Sequence, residues 1–250
     1  MKRLLITLTI LLIAVMAVAQ TYAFGKFVKG SVTIGDITLA TKSLYTGYVT
    51  YTADSKVQWA KMVSASGVSE IFDIATDTAG NCYITGVFQG VANPAPLNPV
   101  TGYGYTDIFV AKLNAKGEYV WFSKAGGTNS DYGKGICLDE FGNVYIGGSV
   151  FSKTAKFGEY SISQVAPANT VDAYVAKLDA DGNWLWVKAT SSKKQEVGND
   201  LVYENGVLTL LGQFMGEAKF DNIKLTASGW FRDYAAAITT DGMWLAAEVK

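Results

Sequence analysis

The chain has no histidine, only two cysteines and only four prolines in 250 residues. Without histidine there is no Ser-His-Asp or Cys-His nucleophile pair, and no zinc site that uses imidazole. Two thiols are too few for a cysteine-rich zinc site. Charge is also scarce: 17% of residues are charged, and 21 basic side chains nearly balance 22 acidic ones, with no block of one sign. A nucleic-acid partner would need a basic stripe that this sequence does not have. No G-x-x-x-x-G-K-[ST] phosphate loop occurs. Beyond the first nineteen residues no apolar run approaches the length of a membrane span, and no segment carries a capped helical stripe. Aromatics are plentiful at 13%, with 14 Tyr and 12 Phe against 5 Met, a balance that favours strands.

The N-terminus reads "MKRLLITLTILLIAVMAVAQ". Lys2 and Arg3 precede an uncharged apolar run from Leu4 to Val18, and Ala17-Val18-Ala19 forms a small-x-small site before Gln20. These are the parts of a secretory signal peptide with its cut after Ala19; an uncleaved anchor is the alternative. The expected location is therefore outside the cytoplasm: extracellular, periplasmic or on the cell surface. Cys82 and Cys137 stand where sister segments carry Val144 and Ala75. That predicts buried free thiols acting as small hydrophobes rather than a disulfide.

The segment "DTAGNCYITGVF" from Asp77 is answered by "DEFGNVYIGGSVF" from Asp139, and the echo proves periodic. Strand-ending glycines recur at Gly25, Gly86, Gly148 and Gly212, spaced by 61, 62 and 64 residues. A second landmark, "DIFVAKLNAKGEYVW" from Asp107 and "DAYVAKLDADGNWLW" from Asp172, has weaker echoes from Gly47 and Asp233. A third is the phrase "IGDITL", "FGEYSI" and "FDNIKL" from Ile34, Phe157 and Phe220. Within each unit the pattern is two hairpins around Gly-containing turns, Asn205-Gly206 being the clearest. In "AYVAKL", Tyr174, Ala176 and Leu178 point one way and Ala173, Val175 and Lys177 the other, the period of a strand.

The predicted fold is all-β: a β-propeller-like array of about four four-stranded blades, incomplete or open, with a β-solenoid as the alternative. The domain plan is a signal peptide over 1–19 and an array over 20–250, with blades at about 20–64, 65–126, 127–192 and 193–250. Naming the strands of a blade a to d, the mature chain opens at a strand b with no strand a before it. Either the sequence is the N-terminal portion of a longer protein, or it is a small array completed by oligomerisation. Self-association through a free sheet edge is expected if the ring is open.

The phrases "DYGKGICLDEFGNVYIGGSVFS" and "FGEYSI…VDAYVAKLDADGNWLW" resemble the SBBP (seven-bladed β-propeller) repeats of secreted bacterial proteins, from about Phe24 to the end. The sequence departs from that pattern at Gly47, in place of the strand-c Asp, and at Ala246, where Trp186 would align. The resemblance implies surface or secreted repeat proteins with no single activity and no catalytic residues to carry over.

Asp77, Asp107, Asp139, Asp172 and Asp233 recur with the repeat, so each reads as a corner or turn acceptor rather than a ligand. "DADGN" at Asp179–Asn183 looks like a calcium loop but lacks the later acidic ligand. Trp59, Trp121 and Trp186 recur in strand d and are expected between blades. What the copies do not share is the better place to seek function: the loop Gln89–Thr106, with Pro94, Pro96 and Pro99 and a matching loop at Pro167, and the segment "SGWFRD". The candidate ligand contacts are Tyr103, Tyr105 and Trp230. No catalytic, cofactor or metal residues are assigned. The expected function is a non-catalytic surface, scaffold or adhesion module binding protein or glycan, with no nucleic acid and no membrane span in the mature chain. The alternative is the propeller part of a secreted carbohydrate-active enzyme using paired carboxylates.

Overall fold

The computed structural model describes residues 11–13, 20–164, 170–192 and 194–250. It is all-β, with no helix among the described residues, and none is long and apolar enough to cross a membrane. The first blade is β1 (Leu11–Ile13), β2 (Gln20–Ile34), β3 (Ile37–Ala53) and β4 (Lys56–Met62). The second is β5 (Ser69–Thr76) and β6 (Cys82–Phe88), a small insert hairpin β7 (Val91–Ala92) and β8 (Val100–Thr101), then β9 (Asp107–Leu113) and β10 (Tyr119–Gly126). The third is β11 (Asp131–Leu138), β12 (Val144–Val150), insert β13 (Thr154–Phe157) and β14 (Tyr160–Ser163), β15 (Asp172–Leu178) and β16 (Trp184–Ala189), extended by β17 (Ser191–Ser192). The fourth is β18 (Glu196–Glu204), β19 (Val207–Phe214), insert β20 (Glu217–Phe220) and β21 (Ile223–Thr226), β22 (Arg232–Thr239) and β23 (Trp244–Val249). Every blade is an antiparallel sheet in the order a-b-c-d. The a strands β5, β11 and β18 lie side by side, nearest the axis of an open propeller-like array.

Strand c explains why neighbouring blades need each other. Tyr174, Ala176 and Leu178 of β15 belong to one core, shared with Tyr83, Ile108 and Trp121 of the second blade. Ala173 and Val175 belong to another, shared with Leu201, Leu210 and Tyr234 of the fourth. Each blade is thus apolar on both faces, and only stacking removes both from water.

Two devices fix the stacking. The first is the recurrent tryptophan of strand d, which reaches across to the c–d turn of the following blade. Trp59, Trp121 and Trp186 donate their indole N–H to the carbonyls of Ala115, Ala180 and Thr240 at 2.9, 2.9 and 3.2 Å. Under each indole lies the turn glycine, Gly117, Gly182 or Gly242, with φ of 77°, 83° and 84°. A Cβ on Gly182 would come within 2.6 Å of the Trp121 ring. The second device is the insert hairpin, which pairs with the d-strand end of the preceding blade: Ala125↔Phe157, Ser191↔Lys219 and the bridge Ala65↔Ala92. The "FG" phrase anchors it, because Phe157 packs edge-on against Trp184 at 5.1 Å and Phe220 against Trp244 at 5.0 Å.

The landmark glycine of strand b has a steric cause. Gly86, Gly148 and Gly212 each face a β-bulge in strand a. A Cβ there would collide with the carbonyl of Glu70, Tyr132 or Val197. The bulge inserts one extra residue, Phe72, Lys134 or Asn199, which differs from blade to blade.

The first blade departs from expectation twice. Leu11–Ile13 pairs with Tyr22–Phe24 at the strand-a place, which the sequence reading left empty. An unpaired edge of N–H and C=O groups takes up a nearby apolar segment, here one from the stretch read as a signal peptide; the rest of that stretch lies outside the described residues. The strand-b and insert segments are also fused into one long hairpin closed at Gly35-Asp36, with a shift between Val28 and Gly30. The cysteines are unpaired; Cys82 is buried but Cys137 only half-buried, on the inner strand β11.

Candidate functional site

The recurrent acids are engaged in turns. Asp139 Oδ1 accepts the backbone N–H of Phe141 and Asn143, both at 2.9 Å, and Oδ2 accepts the Asn143 amide at 2.7 Å and the Tyr145 hydroxyl at 2.9 Å. Asp77 repeats this with Ala79, Asn81 and Tyr83. Burial pushes both carboxyls up, but the hydrogen bonds, led by those of Asn81 and Asn143, outweigh it and leave them below the usual range. Asp179 of the calcium-like loop is consumed in the same way by Asp181 and Asn183. The strand-c acids differ among themselves. Asp107 is buried and accepts the N–H of Tyr103 and Gly104. Asp172 is also buried, and Oδ1 of both Asp107 and Asp172 is unpartnered among the described residues, while Asp233 is exposed and accepts the Gln213 amide at 2.8 Å.

Antiparallel strands send the a–b and c–d turns to one rim of the array and the b–c and d–a connections to the other. The second rim carries the variable segments. There, between the second and third blades, lies an open cleft of about 550 Å³ lined by Tyr105, Thr128, Asn129, Ser130, Tyr132 and Phe151. That volume is within the roughly 300–1,000 Å³ of small-molecule sites. Tyr105 comes from the b–c loop of the second blade and is 68% exposed; Phe151, which follows β12, is 38% exposed.

A buried carboxylate builds both walls. Asp131 Oδ2 accepts the Gly127 N–H and the Ser152 hydroxyl, each at 2.7 Å, while Oδ1 accepts the N–H of Phe151 at 2.9 Å and Ser152 at 3.0 Å. Ser152 Oγ in turn receives the Asn129 N–H at 2.9 Å, and the Asn129 side-chain amide donates to the Phe151 carbonyl at 3.0 Å. The bridge Thr106↔Ser130 ties the Tyr105 loop to the same wall. Burial raises the Asp131 pKa despite these bonds. The floor is equally fixed. Tyr132 meets Phe151 edge-on at 5.8 Å and Phe72 at 6.3 Å, and Lys134 lies over Phe72 at 3.4 Å and Tyr132 at 5.2 Å. Burial lowers the Lys134 pKa, an effect opposed by the Glu70 charge. Glu70 is itself paired with Lys26 at 2.6 Å.

Of the three contacts named from sequence, only Tyr105 lines this cleft. Tyr103 lies outside it, with Lys124 over its ring at 3.8 Å. Trp230 is 86% exposed in the b–c connection of the fourth blade, on the same rim. The loop at 165–169, with Pro167, lies outside the described residues.

Two acidic features escaped the sequence reading. Glu196 occupies the place of Asp131 and Ser69 and, like them, is fully buried, but neither of its oxygens finds a hydrogen bond among the described residues. The Thr190 hydroxyl, bonded to the Ala173 backbone at 3.1 Å, gives it only partial relief. Burial, with the charge of Asp172 adding, raises Glu196 to about 8. Asp73 is raised to about 6, first by burial and also by Asp200, although both its oxygens accept backbone N–H groups, those of Ile74 and Ile136. The available signal was positional: a glutamate where its sisters are Asp and Ser.

A family model described as the SBBP beta-propeller repeat matches residues 120–149, which run from strand d of the second blade through strands a and b of the third. The chain carries that repeat and is a propeller repeat protein. It is similar to an uncharacterized WD repeat-containing protein, L264, of Acanthamoeba polyphaga mimivirus: 22% identity over 160 residues, 53% of this chain and 11% of the relative. It is also similar to the regulatory protein FlaEY of Caulobacter vibrioides: 23% identity over 177 residues, 70% of this chain and 18% of the relative. The chain thus spans less than a fifth of either relative's length.

Proposed function

We propose that this chain is a non-catalytic binding module of an exported propeller protein, holding a protein or glycan on the rim that carries the b–c and d–a connections. The observation that supports this most strongly is the cleft between the second and third blades. Its lining is uncharged, differs from the equivalent place in other blades, and is pinned by a buried carboxylate. The turn acids Asp77, Asp139 and Asp179 are spent on backbone N–H groups, and no carboxylate lines the cleft to serve as general acid or base. Export rests on the signal-peptide reading of 1–19, and an open array leaves a sheet edge for self-association. The test is a binding screen on immobilised glycans and envelope proteins, with product analysis by mass spectrometry. Binding without turnover, lost in Tyr105→Ala, agrees with the proposal; turnover of a bound glycan contradicts it.

A second reading, a carbohydrate-active enzyme, draws on the raised pKa of Asp73 beside Asp200 on the inner strands. It requires hydrolysis that Asp73→Asn abolishes.

A further inference from the structure

We infer that the cleft between the second and third blades is a saccharide site that takes an uncharged pyranose unit. The inference rests on the binding-module reading and names its ligand class.

The chemistry of the lining selects the ligand. Three aromatic rings, Tyr105, Tyr132 and Phe151, share the cleft with Thr128, Asn129 and Ser130. A pyranose has the matching division. One face is a row of C–H bonds that packs on an aromatic ring, and its rim is hydroxyl groups that both donate and accept. Asn129 spends its backbone N–H on Ser152 and its amide N–H on the Phe151 carbonyl. Its Oδ1 is left to accept from a sugar hydroxyl. The hydroxyls of Tyr105, Thr128, Ser130 and Tyr132 make no hydrogen bond among the described residues and can pair in either direction. No Lys, Arg, Asp or Glu lines the cleft, so an anionic sugar would lose water without an ion-pair partner in the lining; Lys134 beside the floor is engaged by the Phe72 and Tyr132 rings.

Preorganisation supports the same conclusion. A weakly hydrophobic ligand such as a sugar gains little per contact, so the site must not spend free energy on ordering itself. Here Asp131 holds both walls, and Phe72 with Lys134 holds the Tyr132 ring. An extended peptide that adds a strand needs a free strand edge, whereas the cleft is lined by side chains of three connections and of Tyr132 in β11.

The experiment titrates the whole chain with soluble neutral oligosaccharides of glucose, mannose, galactose and N-acetylhexosamines, read by saturation-transfer NMR and calorimetry. Uronate-containing and sulfated oligosaccharides are run alongside. At least one neutral sugar should bind, with anionic counterparts weaker. Tyr105→Ala and Asn129→Ala should each lower affinity about tenfold, roughly 1.4 kcal/mol. Phe141→Ala, at an exposed a–b turn on the opposite rim, should leave it unchanged. Tyr105 is largely exposed, so its variant tests the site without unfolding the chain. Absence of neutral-sugar binding, or binding untouched by Tyr105→Ala, overturns the inference. If envelope proteins bind instead and Tyr105→Ala abolishes that, the saccharide assignment falls while the binding-module reading stands. If no ligand of either kind depends on Tyr105, both fall.

Discussion

Replacing Trp121 by alanine should remove a latch between the second and third blades. The indole is 9% exposed, sits on Gly182 and donates to the Ala180 carbonyl at 2.9 Å. Truncation of a buried tryptophan costs about 3–5 kcal/mol, a large share of a total stability on the order of 5–15 kcal/mol. The diagnostic partner is Gly182→Ala. In the native background its Cβ meets the Trp121 ring at 2.6 Å, and its φ of 83° is unfavourable for alanine. The backbone part costs roughly 1–2 kcal/mol and the steric part a further ~1–3 kcal/mol. With Trp121→Ala already present the steric part disappears and only the backbone part remains. A double-mutant cycle by urea unfolding, followed by circular dichroism, should therefore show coupling of about 1–3 kcal/mol, with the double variant more stable than the sum predicts. Additivity within about 0.5 kcal/mol would refute the latch.

Glu196→Gln should change the pH dependence of stability. The folded pKa of Glu196, about 8, lies above its ordinary value, so the folded state keeps a proton that the unfolded state has lost. Stability then falls as pH rises from about 4.5 to 8, by up to about 1.4 kcal/mol per pH unit; the raised Asp172, at about 6, adds to the lower part of that window. The variant should flatten this fall and be more stable than the parent at pH 8, checked by thermal melts from pH 4 to 9; an unchanged slope argues against it. Asp139→Ala removes an acceptor that serves four donors, and should cost about 1–3 kcal/mol at neutral pH. Because the folded Asp139 pKa is depressed, the difference should shrink as pH falls below the ordinary carboxylate range, which a urea midpoint series would reveal. If the chain is exported, N-terminal sequencing of the secreted product should begin at Gln20, and loss of Leu11–Ile13 should raise hydrogen exchange in Tyr22–Phe24, their partners in β2.

The repeat made most of the fold legible. Three landmarks on one period gave the hairpins, the blade count and the inter-blade place of Trp59, Trp121 and Trp186, because each is a local pattern restated. The all-β prediction follows from alternation and the paired Gly turns, and the burial of both blade faces from the need of repeats to stack. The fused first hairpin was not legible, since glycines at 25, 30 and 35 read equally well as breaks and as strand. The cleft was legible only at Tyr105. Asp131, Tyr132 and Phe151 all fall inside one repeat phrase, which marks them as parts of a blade rather than of a site. Their roles arise where residues from three segments meet, and local sequence carries no signal of that meeting. Glu196 was missed for a related reason: its position in the repeat is visible, but its burial without a partner is not.

A hydrogen-exchange footprint of the whole chain with its best-binding neutral oligosaccharide tests the cleft between the second and third blades directly. Protection should be confined to residues 103–106, 127–132 and 150–152, with the a–b and c–d turns unchanged. Protection centred on those shared turns, or spread evenly over all four blades, would contradict the assignment of the cleft.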